Sequence, residues 1–494
     1  MLDLDDEKVE APPLRPPLAN TSSPSEKDLS DDLERIRKWQ EERIARRLRG
    51  EYESSVMLLT ELIQNNSSTP LRIASVRIEG ADRTRKSFLG SIVRHHIGDP
   101  YTHDESTLQT VLLKARNIGH TLQETGLFHH VNATLEPTRD VTAPVHDVDL
   151  VFKTKERGRL QLKTSTEFGN QEGSASVVGR LRNVFGGAEV LEGQLSFGTL
   201  TKRSFHAALT APLNPTLSTH GALSIFGMER DNSAFASSSE TLRGLKATIR
   251  TENNGSHELG YEAVLRHVGN LTSTASMSIR QAAGTSVKSS IFHNWTRNTR
   301  DDAIMATKGE YVKLSHEFAG IGGDASFYKA QSETVISRRI TSNACLSFST
   351  RAGVLWSLLR PTYISDRFQL GGSTSVRMFR NNSMGPRDGV DSLGGELYWA
   401  AGLSLISDFP RKSHWPVKTH LFLNAGRLDN IDKAKSLASN VQESISRPSI
   451  SAGLGIVYKF DPLRVEVNFG VPLVASKSDG HRRGFEVGIG VNFL

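Results

Sequence analysis

The sequence predicts an all-β transmembrane barrel of about sixteen antiparallel strands, preceded by a small α/β domain and a partly helical, partly disordered N-terminal tail. Two observations predict the barrel. Short segments that alternate apolar and polar side chains follow one another from residue 159 to residue 494. The longest apolar run, 397–406, is about half the length of a membrane-spanning helix. The mean hydropathy of −0.35 is compatible with barrel strands, because their two faces average to a hydrophilic score.

Residues 1–65 are expected to form a tail outside the folded domains. The acidic, proline- and serine-rich segment 1–26 cannot bury a core, which predicts disorder. A charged helix is expected over 27–49, where acidic residues precede basic ones by four positions, and a shorter helix over 56–64. The first residues lack the basic and apolar regions of a secretory signal and are too acidic for a matrix-targeting peptide. We therefore expect the protein to reach its membrane without a cleaved N-terminal address.

Residues 70–156 are expected to form a compact α/β domain. Short apolar strands are predicted around 71–80, 128–135 and 145–152, and helical periods around 86–94 and 105–124. The order β-α-α-β-β suits one small sheet with two helices on one face.

The barrel is assigned to residues 159–494. The alternation is clear in 463–471, where Leu, Val and Phe residues alternate with Arg, Glu and Asn. Seventeen strand candidates are found, and the weakest, 272–281, is assigned to a loop, which leaves the even number that a closed single-chain barrel requires. A soluble β-sandwich is the alternative. The number of strands and the absence of a domain break over so long a segment favour the barrel.

Composition and motifs exclude several function classes. The net charge of +6 is mild and shows no cluster of basic and aromatic residues, so nucleic acid is not expected as a partner. The single Cys345 excludes an intrachain disulfide and a paired-cysteine metal site. Nucleotide-binding loops, metalloprotease motifs and nucleophile elbows are absent from the sequence. We expect no enzyme activity, no cofactor and no metal.

A long connection over 358–390 contains the most specific motif. Residues 366–379 read Asp-Arg-Phe-Gln-Leu-Gly-Gly-Ser-Thr-Ser-Val-Arg-Met-Phe. This stretch resembles the signature loop of the BamA-type outer-membrane assembly superfamily, in which Leu-Gly-Gly precedes a Val/Ile-Arg-Gly-Phe tetrad. The matching positions are Gly371, Gly372, Val376, Arg377 and Phe379, whereas Met378 stands where the family usually has glycine. Glycine permits backbone angles that methionine resists, so either the local turn differs or the Met378 side chain fills space in the lumen.

Domain order extends the resemblance to residues 70–494. The α/β domain resembles a single POTRA (polypeptide-transport-associated) module. One such module, sixteen strands and no signal peptide is the layout of the mitochondrial branch, which belongs to the sorting and assembly machinery (SAM/TOB). The segments 394–402, 420–426 and 488–494 are also similar to that branch. The resemblance implies insertion and folding of β-barrel precursors in the mitochondrial outer membrane, with the POTRA-like domain in the intermembrane space. It implies as partners the precursors, peripheral SAM subunits on the cytosolic face, a further barrel protein and membrane lipid.

Physical reasoning assigns partners to the loop arginine. A loop folded into the lumen would desolvate Arg377, whose planar fork suits a carboxylate on the inner wall. Glu396 and Asn424, on the following two strands, are the candidate acceptors. Two roles stay open for Arg377, either pinning the loop or acting directly in gating.

The resemblance also implies a lateral seam between the first and last barrel strands, whose edges would template an incoming strand. The residues assigned to the first strand are Leu160, Leu162, Thr164, Thr166 and Phe168, and those assigned to a terminal-strand signal are Glu486, Gly488, Val491 and Phe493. Any terminal barrel strand could show the same terminal pattern. Two other functions are weighed: a translocation pore of the same superfamily, as in plastid envelopes, and a metabolite porin.

Overall fold

The computed structural model describes part of the chain in detail. Of the N-terminal tail, only short stretches are described, and these are helical: 37–42, 44–45, 57–58 and 60–65. The segment 1–26, for which disorder is predicted, lies outside the described residues. The structure describes residues 37–42, 44–45, 57–58, 60–98, 106–139, 144, 146–169, 172–409, 415–460, 463–490 and 493–494.

Two compact units divide the chain. The first gathers residues up to Ile78 with Ile97–Gly119 and Ala133–Phe152. The second gathers Glu79–His96, His120–Asn132 and Lys153–Leu494, and therefore contains the whole barrel.

The described residues of 70–156 form a four-stranded sheet and two helices. The sheet has the strand order β2-β1-β4-β3. The two-residue strand β2 pairs antiparallel with β1 and adds one element to the predicted β-α-α-β-β order, because two residues show no alternation from which a strand could be predicted. The elements are β1 (Pro70–Glu79), α1 (Lys86–Ile97), β2 (Ser106–Thr107), α2 (Leu108–Glu124), β3 (Phe128–Pro137) and β4 (Asp147–Glu156).

Sixteen antiparallel strands form the barrel sheet, which confirms the predicted fold class and strand number. Each strand pairs with its neighbours in chain order. The barrel strands are β5 (Leu160–Gly169), β6 (Glu172–Arg182), β7 (Val190–Gly198), β8 (Thr201–Pro212), β9 (Thr219–Asp231), β10 (Ser239–Glu252), β11 (Ser256–Gly269), β12 (Gly284–Asn298), β13 (Gly309–Gly323), β14 (Phe327–Thr341), β15 (Ala344–Ser357), β18 (Leu397–Asp408), β19 (Val417–Asp429), β20 (Ser449–Phe460), β21 (Leu463–Val474) and β22 (Gly484–Gly490); β16 (Arg387–Asp388) and β17 (Asp391–Ser392) form a separate small hairpin.

The strands place apolar side chains outward and polar side chains inward. In β21, Val467 and Phe469 are exposed, whereas Arg464, Glu466 and Asn468 are buried. A soluble sheet would show the opposite pattern. An apolar outer face and a polar inner face are typical of a barrel whose surround is lipid.

Within the described part of the barrel, three short helices lie in connections between strands. α3 (Ser233–Ala236) lies between β9 and β10, and α5 (Leu437–Ser446) lies between β19 and β20. α4 (Met277–Ala282) lies between β11 and β12, so the assignment of 272–281 to a loop is confirmed. Among the described residues, the structure contains no helix long and apolar enough to cross a membrane.

The long connection is longer than predicted. It runs over 358–396, from the end of β15 to the start of β18, instead of ending at residue 390. Gly394 has a positive φ of 68°, and Gly395 forms an isolated antiparallel bridge with Phe368 within the same connection. Because Gly395 pairs inside the connection, the barrel strand begins only at Leu397.

Candidate functional site

The long connection, called here the lumen loop (358–396), folds against the polar inner face of the barrel. The side chains of Val376, Arg377, Met378 and Phe379 are 0–1% exposed. A fully buried arginine is rare in proteins, and it needs both a counter-charge and hydrogen-bond acceptors. The contacts of Arg377 therefore define the candidate site.

Arg377 binds four acceptor atoms. Its Nε donates to Oε2 of Glu466 at 2.9 Å and its Nη2 donates to Oε1 of the same carboxylate at 3.2 Å. Its Nη1 donates to Oδ1 of Asn424 at 3.2 Å and to the main-chain oxygen of Leu494 at 2.8 Å. The two-point contact with Glu466 is the geometry that a guanidinium fork favours.

Aromatic rings lie next to the same guanidinium. The Arg377 Cζ atom lies 5.3 Å from the ring centroid of Phe422 and 5.6 Å from that of Phe493. These distances allow cation–π attraction, which is stronger where water is excluded. The carboxylate, the amide and the rings together stabilise a charge that burial alone would destabilise.

The predicted acceptors of Arg377 are only half right. Asn424 accepts a hydrogen bond from it, but Glu396 does not, because Glu396 accepts from the Thr362 hydroxyl at 2.6 Å and from the Ile431 amide at 3.3 Å. Glu396 therefore holds the base of the lumen loop. The ionic partner, Glu466, was missed. The sequence does contain a pattern that indicates Glu466, because it is the acidic residue in the middle of the polar face of 463–471.

Glu466 is shared between two arginines. Arg464, also buried, places Nη2 2.5 Å from Oε1 of Glu466. Asn468 donates from Nδ2 to Oε2 of Glu466 at 2.8 Å. One carboxylate therefore compensates two guanidinium charges on the inner wall.

Met378 keeps the backbone angle of a glycine. Its φ is +67°, in the left-handed region. Its side chain is fully buried, and a Cβ added to Gly470 would lie 3.1 Å from the Met378 side chain. Of the two alternatives, the structure therefore shows a side chain that fills lumen space. Its amide donates to Oε2 of Glu486 at 3.0 Å, which ties the loop to β22.

The backbone conformation explains why the motif has two glycines. Gly371 and Gly372 have φ of 108° and 115°. A Cβ at Gly371 would lie 2.6 Å from the carbonyl oxygen of Arg380, so a side chain there would clash with backbone. The neighbouring Val376 packs against Gly426, where an added Cβ would lie 2.9 Å from its Cγ2.

The first and last barrel strands are adjacent but unpaired over the residues described. β5 and β22 stand at the two ends of the strand order, and their residues approach one another without ladder pairing. On β5, Leu160 and Leu162 are 76% and 68% exposed, and Thr164 and Thr166 are also exposed. The Phe168 side chain lies outside the described residues.

The terminal strand is described in part. β22 runs over Gly484–Gly490, and Val491 lies outside the described residues. The alternation predicts an outward Phe493, yet its ring is buried and lies 5.0 Å from the Arg464 Cζ. Attraction to the two buried arginines explains this inward position. The predicted Glu486 and Gly488 both face the buried side.

Comparison with known proteins identifies the family. The Omp85 superfamily domain matches residues 183–493, well over half of the chain. This chain belongs to the Omp85 superfamily. Within it, the chain is 33% identical over 451 residues to a SAM50-like protein of Schizosaccharomyces pombe, covering 90% of this chain and 95% of that protein. It is 30% identical over 443 residues to the sorting and assembly machinery component 50 homolog of Homo sapiens, covering 88% and 92%.

A solved structure supports the fold. BamA from Haemophilus ducreyi, lacking POTRA domains 1–3, superposes with a TM-score of 0.71 at 19% sequence identity, covering 85% of this chain and 84% of that chain. At this identity the likeness concerns the fold.

Proposed function

We propose that this protein inserts and folds β-barrel precursors into the mitochondrial outer membrane through a lateral seam between β5 and β22. The similarity to SAM50 proteins over about 90% of the chain supports a role in barrel assembly. The observation that supports the seam concerns β5 and β22, which form no ladder with each other over their described residues, whereas all other neighbouring strands of the sheet are hydrogen-bonded. We infer that the protein acts by binding and templating, without catalysis.

An unpaired strand edge supplies the chemistry for templating. The free N–H and C=O groups of β5 and β22 can pair with an incoming strand, and lipid cannot satisfy them. When a precursor strand pairs with β5 or β22, the unpaired main-chain groups of that edge become part of a hydrogen-bonded ladder. This pairing favours entry of the precursor without any external energy source.

The lumen loop links the seam to the barrel wall. Arg377 binds Glu466 of β21 and the main-chain oxygen of Leu494, and the Met378 amide binds Glu486 of β22. The loop therefore holds the inner side of the last strand. We propose that Gly371, Gly372, Val376 and Phe379 give the loop the shape that brings Arg377 to these partners. Arg377 then both pins the loop and acts on the seam.

The region before the barrel completes the proposal. We propose that 70–156 is a POTRA module in the intermembrane space and that SAM/TOB subunits and precursors are the partners. A loop packed across the lumen argues against a translocation pore or a metabolite porin, both of which need an open channel.

The test is site-specific crosslinking in mitochondria. In a Cys345→Ser background, Thr164→Cys on β5 is expected to form an adduct with a cysteine in the last strand of an arrested precursor. Leu245→Cys on the outer face of β10 is the matched control, since that strand is paired on both sides. Adducts at both positions, or at neither, would refute the seam. Normal porin assembly after depletion of this protein would refute the assembly role itself.

A further inference from the structure

A second buried ion pair holds the lumen loop. Nη1 of Arg266, on β11, donates to Oδ1 of Asp366 at 2.6 Å, and the two side chains are 4% and 5% exposed. Asp366 ends a short 3₁₀ turn, Ile364–Asp366, at the start of the loop motif. The wall supplies the base and the loop supplies the acid, the reverse of the Arg377–Glu466 pair.

A second cation on the same wall reinforces this contact. Nζ of Lys329, on β14, donates to the main-chain oxygen of Asp366 at 2.8 Å and lies 4.7 Å from the ring centroid of Phe368. The Arg266 Cζ lies 5.3 Å from the ring centroid of Tyr363. The segment 363–368 is therefore held by cations of β11 and β14.

The two ion pairs lie on opposite walls of the barrel. In the order of sixteen strands, β21 is second and β11 is tenth, a separation of eight strands or half the circumference. The loop consequently crosses the lumen between Arg266 on one wall and Glu466 on the other. The charges of these two anchors fix which end of the loop binds which wall. In the reversed orientation, Asp366 would face Glu466 and Arg377 would face Arg266, and these like charges would repel.

The two anchors are unequally satisfied. Each guanidinium nitrogen of Arg377 has an acceptor. In contrast, Nε and Nη2 of Arg266 and Oδ2 of Asp366 have no hydrogen-bond partner among the described residues. Buried polar atoms without partners raise the free energy of the state that contains them. Among the described residues, Nδ2 of Asn424 and Nε and Nη2 of Arg464 also lack hydrogen-bond partners, but these atoms belong to the wall beside Arg377. The charged group of the loop itself makes four hydrogen bonds at Arg377 and one at Asp366, so the Arg266 anchor is the weaker of the two.

We propose that Asp366 and Arg266 are positioning residues that form a releasable anchor, so that the loop swings away from the β11–β14 wall while Arg377 stays bound near the seam. Release clears the lumen on that side when a precursor engages. This inference rests on the proposed assembly function, and it assigns separate roles to the two ends of one loop.

Loop mobility provides the first test, using the full chain in lipid. Asp366→Asn and Arg266→Gln are each expected to increase amide hydrogen exchange in 361–370 about fivefold or more, while exchange around Arg377 stays unchanged. The charge-swapped pair Arg266→Asp with Asp366→Arg is expected to restore slow exchange. Arg180→Gln is the matched control, since its partner Glu192 is on the neighbouring wall strand and not in the loop. Unchanged exchange in both single variants would overturn the anchor.

A reversible lock provides the second test. Arg266→Cys with Asp366→Cys, in a Cys345→Ser background, is joined by a reducible bis-methanethiosulfonate crosslinker. The lock is expected to block precursor assembly at least about tenfold, with recovery after reduction. Assembly at the unlocked rate would overturn the release. If the protein that keeps Arg266 and Asp366 assembles no precursor, the proposed function fails, whereas the exchange experiment still decides whether the anchor exists.

Discussion

Replacing Glu466 with glutamine is the sharpest probe of the lumen site. The substitution keeps the side-chain shape but removes the carboxylate that faces both Arg377 and Arg464. Both guanidinium groups then stay buried without their counter-charge. Removing one partner of a buried ion pair costs about 3–5 kcal/mol, and the second arginine moves the expected loss to the upper part of this range.

The loss can be measured as heat resistance. At roughly 2 °C per kcal/mol for a domain of this size, Glu466→Gln is expected to lower by about 10 °C the temperature at which the folded barrel unfolds on semi-native gels. The control Glu192→Gln removes a carboxylate from a half-exposed wall pair with Arg180, whose side chains are 41% and 29% exposed. Such a pair contributes at most about 1 kcal/mol, so a shift of at most about 2 °C is expected. Equal shifts in the two variants would refute the assignment of Glu466 as the shared counter-charge.

Three further predictions concern the same barrel. Met378→Gly removes a fully buried side chain but relieves a left-handed methionine, so a net loss of about 1–3 kcal/mol is expected; a more stable variant in the gel assay would contradict this. Burial favours the neutral form of Asp302, but hydrogen bonds from Lys459 and from the backbone lower the pKa of Asp302 to about 2. Since this pKa is lower than in the unfolded chain, the stabilisation is present above about pH 4 and is lost as the pH falls towards 2. Hydrogen exchange of 299–308 measured against pH checks this, and Asp302→Asn should reduce the pH dependence, leaving the part that comes from Asp301, whose pKa is also lowered, against the effect of burial, by hydrogen bonds from Thr307 and Lys308. For each variant, the loss of precursor assembly can be divided by the fall in unfolding temperature. This ratio is expected to be larger for Arg377→Met than for Glu466→Gln, and equal ratios would refute a direct role of Arg377 at the seam.

The strand number could be predicted from sequence because it depends on a local signal. Two-residue alternation places Val467 outward and Glu466 inward wherever one face meets lipid, independently of the rest of the barrel. The partner of Arg377 could not be predicted in the same way. Glu396 is closer in sequence, yet the loop turns away from it and reaches Glu466. The position that a long loop reaches inside a barrel depends on the closed barrel around it. The sequence of the loop alone does not contain this information.

The last strand shows the same limit. Alternation predicts that Phe493 points to lipid, as the other apolar side chains of barrel strands do. The structure turns Phe493 inward because two buried arginines, Arg377 and Arg464, lie on that side. Those arginines come from the loop and from β21, so their effect on Phe493 depends on contacts that exist only after the barrel has formed.

The charge arrangement separates stability from function at the seam. Without Arg377, Glu466 keeps Arg464 and Asn468 as partners, so the wall stays compensated. Without Glu466, two arginines lose their counter-charge. The stability of the wall therefore depends on Glu466. The separate contribution of Arg377 is a hydrogen bond to the main chain of Leu494, beyond β22. This contact with the chain just after the last strand places Arg377 to act on the seam. The cost of burying Arg377 is offset by a carboxylate that the wall already requires.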